Sequence, residues 1–346
     1  MGGIGASLGR RGALMGAVAL ALSACNREPP LTASRTPPLD MDALNRDVAV
    51  LSKRALPGIL GVGLMNLESG EHFTWDGDRR FPMQSVFKLP LGAAALAEVD
   101  ARRLSLAEVL TVTDETLSPF WSPVAQAYPQ RTTYTVEEML AAAVRDSDNT
   151  AADMLMKRIG GPGAVTAWLN AQRIMEIRVD RYERELQMDR LGMASFRAAW
   201  RTPAALQAAI DTVAPGKRRA ATLAYLADPR DTATPRSMLN FLGKLDAGQL
   251  VSQGSTHRLL TLLFQTPRGG DRIKAGLPKD ARFAHKLGSS GADLGLTAAF
   301  NDVGIFVLKD KRSYACAAFL CGSTASDEAQ AALFADLGRV MARHIG

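Results

Sequence analysis

The chain has 346 residues, of which 47% are hydrophobic and 22% are charged, a balance typical of folded globular proteins rather than disordered or fibrous ones. This length allows one large domain or two modest ones with an ample core. The formal charge of +6 is spread along the chain without a Lys/Arg block or interleaved aromatic residues. We therefore expect no nucleic-acid partner.

The first 24 residues have the three parts of a secretory signal peptide. Arg10 and Arg11 precede an apolar run over residues 13–22, and small residues follow. The segment is too short to span a bilayer. Residues 22–25 (Leu-Ser-Ala-Cys) resemble a bacterial lipobox, in which the Cys is acylated and becomes the first mature residue. We expect a periplasmic protein anchored through a lipid on Cys25; the alternative is cleavage nearby, which would release a soluble periplasmic protein.

The stretch after Cys25 is proline-rich and has no periodicity, so residues 25–40 are interpreted as the anchor and its tether. We expect no other contact with the membrane. The two remaining cysteines, Cys316 and Cys321, lie in one predicted strand. Side chains five residues apart on a strand point to opposite faces, so a mutual disulfide is not expected. The four His are scattered, and the sequence predicts neither a metal site nor a cofactor.

Hydrophobic periodicity predicts the elements of the mature domain. A helix is expected over residues 40–55, then strands over 58–66 and 71–75, then a helix that follows Pro82 and includes the Ala/Leu-rich residues 89–99. Residues 104–263 are mostly helical in pattern, most clearly at 136–144, 149–159, 164–169, 203–213 and 237–242. Strands are expected at 283–286, 295–300, 304–308 and 314–321, before a closing helix over 329–345 capped at Ser326.

Strands near both ends with helices between them predict an α+β fold of two lobes. One lobe, about residues 41–84 and 264–346, would be an antiparallel sheet built from both terminal segments with flanking helices. The other, about residues 85–263, would be all-helical, and a cleft would lie between them. We expect residues 41–346 to form this single domain, and nothing in the sequence calls for more than a monomer.

Residues 84–88 (Gln-Ser-Val-Phe-Lys) place a hydroxyl and an amine three positions apart at the start of a predicted helix. Residues i and i+3 share a helix face, so Lys88 can reach the Ser85 oxygen and activate it as a nucleophile. Free N–H groups at the helix start would favour a developing oxyanion. The pattern Ser-x-x-Lys alone is weak, because about one match is expected by chance in a chain of this length.

Three further motifs follow in order along the chain. Residues 147–149 (Ser-Asp-Asn) alone would be a helix N-cap. Residues 181–186 (Arg-Tyr-Glu-Arg-Glu-Leu) alone would be a solvated charged loop. Residues 285–290 (His-Lys-Leu-Gly-Ser-Ser) lie in a predicted strand, where a single Lys-x-Gly has little weight.

Together, the four motifs resemble those of the class A β-lactamases: Ser-x-x-Lys, Ser-Asp-Asn, a Glu-x-x-Leu loop, and Lys-Thr/Ser-Gly on a strand. Residues 121–124 (Trp-Ser-Pro-Val) fall where the family has an aromatic-Ser-Pro segment. Residues 272–278 resemble the run that leads into its Lys-x-Gly strand. The resemblance covers about residues 41–346.

The resemblance implies a catalytic role for five residues. Ser85 would attack the β-lactam carbonyl and form an acyl-enzyme, with the N–H groups of Ser85 and Ser289 as the oxyanion hole. Glu183 would activate the water that hydrolyses this intermediate. Ser147 would relay a proton to the leaving nitrogen. Either Lys88 or Glu183 could be the base for acylation, and this choice stays open.

The resemblance also implies substrate contacts. Asn149 would bind the amide side chain of the substrate, while Lys286 and Arg272 would supply positive charge for its carboxylate. Trp121 would form a wall at the cleft mouth, the alternative being an ordinary core aromatic. Asp148 would tie down its own loop.

The motifs depart from the family at Leu287, which stands where a Thr or Ser usually offers a hydroxyl to the substrate carboxylate. Loss of one hydrogen bond to a charged group costs about 1.5–3 kcal/mol if nothing replaces it. Ser289 or Ser290 could provide such a replacement.

The Glu183 loop departs as well. Gln187 stands where most relatives have Asn beside the water, and Asp153 stands where many have a supporting Asn. A second carboxylate near Glu183 would raise one pKa unless another partner intervenes. The usual acidic partner of Arg181 is absent from residues 191–202.

There are three alternative functions. A D,D-peptidase or penicillin-binding protein shares Ser-x-x-Lys, Ser-x-Asn and Lys-x-Gly but lacks a deacylating Glu in such a loop. A β-lactam sensor needs transmembrane helices and a signalling domain, and the sequence pattern predicts neither. A weakly active β-lactam-binding homologue is compatible with Leu287. The loop containing Glu183 favours a hydrolase that confers resistance to β-lactam antibiotics.

Overall fold

The computed structural model describes residues 1–2 and 37–345. The Cys25 anchor, almost all of the predicted signal peptide and most of the tether lie outside the described residues. Within the described part, no helix combines the length and the apolar composition that crossing a bilayer requires.

Most strands lie near the two ends of the chain, and three short ones lie in the helical region between them. They are β1 (Ile59–Asn66), β2 (His72–Trp75), β3 (Phe81–Pro82), β4 (Val109–Thr111), β5 (Thr133–Thr135), β6 (Thr232–Ala233), β7 (Arg282–Ser289), β8 (Ala292–Asp293), β9 (Leu296–Val307) and β10 (Ser313–Ser323). The main sheet has the order β2-β1-β10-β9-β7, with β8 paired to β9, and every pairing is antiparallel. The prediction that both terminal segments share one sheet is confirmed. Two short antiparallel pairs, β3–β6 and β4–β5, lie apart from it.

The helices occupy most of the chain between β3 and β7 and flank the sheet at both ends. They are α1 (Met41–Arg54), α2 (Lys88–Asp100), α3 (Pro123–Ala127), α4 (Val136–Val144), α5 (Asn149–Arg158), α6 (Pro162–Ala171), α7 (Glu183–Arg190), α8 (Pro203–Asp211), α9 (Pro215–Ala227), α10 (Pro235–Asp246), α11 (Gln253–Phe264), α12 (Ile273–Gly276) and α13 (Asp327–Arg343). The Ser326 hydroxyl caps α13 by accepting the Ala329 N–H, as predicted.

One strand prediction was wrong. Residues 295–300 and 304–308 were expected to be two strands. The structure joins them in the continuous strand β9, and the polar residues between them, Asn301 and Asp302, are fully buried. Their side chains have partners: the Asn301 amide donates to the carbonyls of Pro82 and Met83, and Asp302 pairs with His285. Buried polar side chains that find hydrogen-bond partners do not interrupt a strand, although the Asp302 Oδ2 has no partner among the described residues.

Two hydrophobic clusters lie on the two faces of the sheet, and β10 separates them. Cys316 and Leu320 belong to the cluster that α1 and α13 cover, whereas Phe319 and Cys321 face the helical region. Both cysteines are buried and free, which confirms that they do not pair. The sheet therefore has a helix-covered outer face and an inner face that supports the site described next.

Candidate active site

Ser85 lies on a 3₁₀ turn, Gln84–Phe87, that leads directly into α2. The residue before it, Gln84, has a φ of 46°, a left-handed conformation that non-glycine residues rarely adopt and that is frequent at functional sites. The turn packs tightly against β7: a Cβ on Gly288 would lie only 2.2 Å from the Met83 carbonyl oxygen. The glycine of the Lys-x-Gly motif thus lets the strand and the serine turn approach each other.

Lys88, the first residue of α2, points its buried ammonium group into the centre of the motifs. Its Nζ donates to the Ser85 Oγ at 3.1 Å, to the Ser147 carbonyl at 2.9 Å and to the Asn149 Oδ1 at 2.5 Å. The Glu183 Oε1 lies 3.0 Å away, and both side chains of this ion pair are 0% exposed. The predicted contact between Ser85 and Lys88 is present, and the Lys88 side chain is fully buried.

Glu183 lies at the start of α7, where the sequence suggested only a charged loop. The helix was missed because its surface is unusually polar. The Glu183 Oε1 lies 3.4 Å from the Ser85 Oγ, and the Glu183 Oε2 accepts a hydrogen bond from the Gln187 Nε2 at 2.9 Å. Gln187 also donates to the Gln84 Oε1 at 2.8 Å, and Gln84 donates to the Tyr225 hydroxyl at the same distance. Gln187 therefore contacts the Glu183 carboxylate directly, within a buried network that the sequence did not reveal.

Asp153 supports the Glu183 backbone. Its Oδ1 accepts the Glu183 N–H at 2.7 Å, and its Oδ2 accepts the Arg184 N–H at 3.1 Å and the Ser118 hydroxyl at 2.5 Å. Burial raises the pKa of Asp153 to about 7, and the Glu183 charge raises it as well, while the three hydrogen bonds act in the opposite direction. A raised pKa for one of the two carboxylates agrees with the expectation from the sequence, but burial rather than the Glu183 charge is the main cause.

The acidic partners of Arg181 lie outside residues 191–202. Its Nε donates to the Asp231 Oδ2 at 2.6 Å and its Nη1 to the Asp189 Oδ2 at 2.9 Å, with Asp228 at 3.4 Å. Asp228 and Asp231 follow α9, some 50 residues along the chain. The start of the Glu183 segment is thereby tied to the residues that precede α10.

The Ser147 loop closes the other side of the site. Ser147 has a φ of 63° and is followed by the fully buried Asp148. The Asp148 carboxylate accepts the Ser122 hydroxyl at 2.8 Å, the Val124 N–H at 2.7 Å and the Ala151 N–H at 2.8 Å. The prediction that Asp148 ties down its loop is confirmed.

Lys286, on β7, faces Ser147. Its Nζ donates to the Ser147 Oγ at 2.8 Å and to the Leu287 carbonyl at 3.1 Å. Burial lowers the pKa of Lys286 well below its usual value, and the nearby Lys88 charge lowers it further. Arg272 approaches the same strand and donates to the Ser289 Oγ at 2.8 Å. A bound anion would favour the charged form of Lys286, so this edge of the site suits a carboxylate.

The remaining predicted residues line the same cavity of about 470 Å³ as Ser85, Ser147 and Lys286. Asn149 accepts from Lys88 and donates to the Pro119 carbonyl at 2.8 Å, which leaves its second amide hydrogen for a ligand. Trp121 is 47% exposed at the rim, so it is not a core aromatic. The Ser290 hydroxyl donates to the Gly291 carbonyl and accepts the Ala299 N–H, and it thereby stabilises the hairpin after β7.

The sequence of this chain is also similar to those of known proteins. Residues 43–345 match the family described as the β-lactamase enzyme family. The chain belongs to this family. β-Lactamase L2 of Stenotrophomonas maltophilia is 31% identical over 301 residues, which are 87% of this chain and 85% of L2. β-Lactamase VEB-1 of Pseudomonas aeruginosa is 29% identical over 284 residues, 81% of this chain and 83% of VEB-1.

Solved structures agree with these relatives. A β-lactamase from Chitinophaga pinensis superposes with a TM-score of 0.71 at 29% identity, covering 87% of this chain and 98% of that one. An ancestral class A β-lactamase of Gram-negative bacteria gives a TM-score of 0.70 at 31% identity, covering 87% and 99%. The predicted resemblance and the two-lobed α+β fold are confirmed.

The raised pKa of Asp153 predicts a pH-dependent stability. A carboxyl whose folded pKa is raised from 3.8 to about 7 stabilises the fold fully below about pH 4, and this contribution is lost as the pH rises through 7. Asp153→Asn cannot titrate. Its free energy of unfolding relative to wild type should therefore increase between pH 5 and pH 8, as measured by urea denaturation. Parallel pH profiles for the two proteins would contradict the assignment.

Proposed function

We propose that this enzyme hydrolyses β-lactams through an acyl-enzyme on Ser85, and that Glu183 activates the water that hydrolyses this intermediate. The observation that carries the proposal is the position of Glu183. One buried carboxylate lies 3.4 Å from the Ser85 Oγ and 3.0 Å from the Lys88 Nζ. Penicillin-binding proteins share the serine and the lysine, so the carboxylate is what favours turnover over a lasting adduct.

In the first step, the Ser85 Oγ attacks the lactam carbonyl carbon. The Ser85 proton can reach Glu183 directly, across the 3.4 Å contact, or through Lys88, which lies within hydrogen-bond distance of both groups. The oxyanion forms beside the Ser85 N–H at the helix start and the Ser289 N–H on β7, two donors that can converge on one oxygen.

Breakdown of the tetrahedral intermediate breaks the bond between the carbonyl carbon and the lactam nitrogen. The nitrogen takes a proton from the Ser147 hydroxyl, and Ser147 regains one from the Lys286 Nζ, 2.8 Å away. The proton that Glu183 received from Ser85 then passes through solvent to Lys286, so that both groups regain their starting protonation state before the second step. The substrate carboxylate would bind Lys286 and Arg272, where charge-assisted hydrogen bonds are strongest. Trp121 and Asn149 would contact the rest of the substrate.

In the second step, a water molecule attacks the acyl carbonyl. Glu183 takes its proton, and Gln187, bonded to the other carboxylate oxygen at 2.9 Å, orients the carboxylate. The ester bond to Ser85 breaks, and the proton returns to the Ser85 oxygen. Product and free enzyme result without a further reactant.

This mechanism predicts repeated turnover. The purified protein should hydrolyse a chromogenic cephalosporin over many equivalents. Ser85→Ala should abolish hydrolysis, because among the described residues Ser85 has the hydroxyl that accepts a hydrogen bond from the Lys88 Nζ. Ser195→Ala, which removes an exposed hydroxyl between α7 and α8, should retain wild-type rates. A burst of one equivalent without steady turnover would contradict hydrolysis and favour a penicillin-binding or sensing role.

We also propose that the chain is exported to the periplasm, acts as a monomer and is anchored through a lipid on Cys25. The support is the arginine pair, the apolar run and the lipobox-like residues 22–25. In cells, a palmitate analogue should label the wild-type protein, whereas Cys25→Ala should remain unlabelled because it lacks the acceptor thiol. An unlabelled wild-type protein would argue for the soluble form.

A further inference from the structure

Arg268, between α11 and α12, is held at the rim of the cavity from two sides. Its guanidinium carbon lies 4.5 Å from the centroid of the Trp121 ring, a cation–π arrangement. Its Nη2 donates to the Asp146 carbonyl at 2.9 Å, and the Trp121 Nε1 donates to the same oxygen at 2.8 Å. The side chain therefore has a defined position although it is partly exposed.

This position is on the carboxylate side of the site. Asp146 directly precedes Ser147, whose hydroxyl receives the hydrogen bond from Lys286. Arg268 lines the same cavity as these residues, and its charge contributes, after burial and Lys88, to the lowered pKa of Lys286. The guanidinium is thus close enough to act on an anion bound at Lys286.

The Arg268 guanidinium also keeps most of its donors. The hydrogen bond to Asp146 uses one of its five N–H groups, and stacking on Trp121 leaves the edge of the plane accessible. Arg145 lines the same cavity, but both of its bonding nitrogens donate to the Asp146 carboxylate. Of these two arginines, Arg268 is the one whose charge is not paired with a carboxylate among the described residues.

Leu287 connects this arginine to the departure from the family motif. A Cβ on Gly269 would lie 2.7 Å from both δ-carbons of Leu287, so the leucine side chain packs directly against the backbone next to Arg268. The position that usually offers a hydroxyl therefore supports the segment that carries the arginine. Leu287, which lacks the usual hydroxyl, and Arg268, which carries the guanidinium, therefore lie close together on the wall of the same cavity.

We propose that Arg268 is a substrate-recognition residue that binds the β-lactam carboxylate in place of the hydroxyl that Leu287 lacks. The carboxylate would lie between Lys286, Arg272 and Arg268, and the new contact would be charge-assisted. This proposal rests on the proposed β-lactam hydrolysis, and it concerns substrate specificity rather than the chemical steps.

The test compares two substrates that differ only in the carboxylate: a cephalosporin and its methyl ester. Arg268→Gln keeps a donor for the Asp146 carbonyl but removes the charge. It should lower kcat/KM about tenfold or more for the acid, the cost of a hydrogen bond to a charged group, and less than about twofold for the ester. Arg268→Lys, which keeps the charge, should lower kcat/KM for the acid less than Arg268→Gln does.

Two further variants make the outcome specific. Arg131→Ala removes an arginine that stacks on Tyr134 at 3.9 Å, outside the cavity. It should leave kcat/KM unchanged for both substrates. Leu287→Thr in the Arg268→Gln background restores the usual hydroxyl and should recover part of the loss on the acid alone.

Equal losses on acid and ester, or no loss on either, would overturn the proposal, since a merely structural role does not distinguish the two substrates. The wild-type enzyme serves as the separate control for the proposed function. If it fails to turn over the acid, β-lactam hydrolysis itself is contradicted. If it turns over normally and Arg268→Gln behaves like wild type, only the role of Arg268 is contradicted.

Discussion

The site depends on one buried ion pair, between Lys88 and Glu183. Removing two charges from water is costly, and the pair is stable only because other groups complete its hydrogen bonds. Ser85, the Ser147 carbonyl and Asn149 do this for Lys88. These partners and Glu183 come from three separate segments of the chain, so the hydrogen-bonding and charge requirements of one ammonium group hold three of the catalytic motifs together. A change to any partner would leave charge that is buried and only partly compensated.

The same requirement extends outwards to the segment that carries Glu183. Asp153 binds two of its backbone N–H groups, and Arg181 ties its start to Asp231. These contacts fix the backbone, whereas Gln187 fixes the carboxylate itself. A carboxylate that must direct a water molecule benefits from both kinds of support, because small displacements of a catalytic group are expensive in rate. The departures from the family pattern at Asp153 and Gln187 are therefore part of a connected hydrogen-bond network around Glu183.

Sequence reasoning predicted the parts governed by local patterns. Alternating and helical periodicity located α4 with its observed bounds and β1 and β10 closely, and the order of the motifs identified Ser85, Lys88 and Glu183 as neighbours. It failed where tertiary contacts decide the outcome. Helix α7 has too little apolar surface to be recognised, and β9 contains polar residues that only their distant partners explain. Arg268 has no motif at all, since its role depends on a ring and a carbonyl brought close by the fold.

The account turns on Glu183 as the group that releases the acyl-enzyme. The most direct measurement is a mass-spectrometric time course of Glu183→Ala mixed with a cephalosporin, beside Glu185→Gln, which removes an exposed charge two residues along but keeps the acceptor for the Tyr182 N–H. The account predicts a lasting adduct on Ser85 in Glu183→Ala, and release at the wild-type rate in Glu185→Gln. Normal turnover by Glu183→Ala would contradict it.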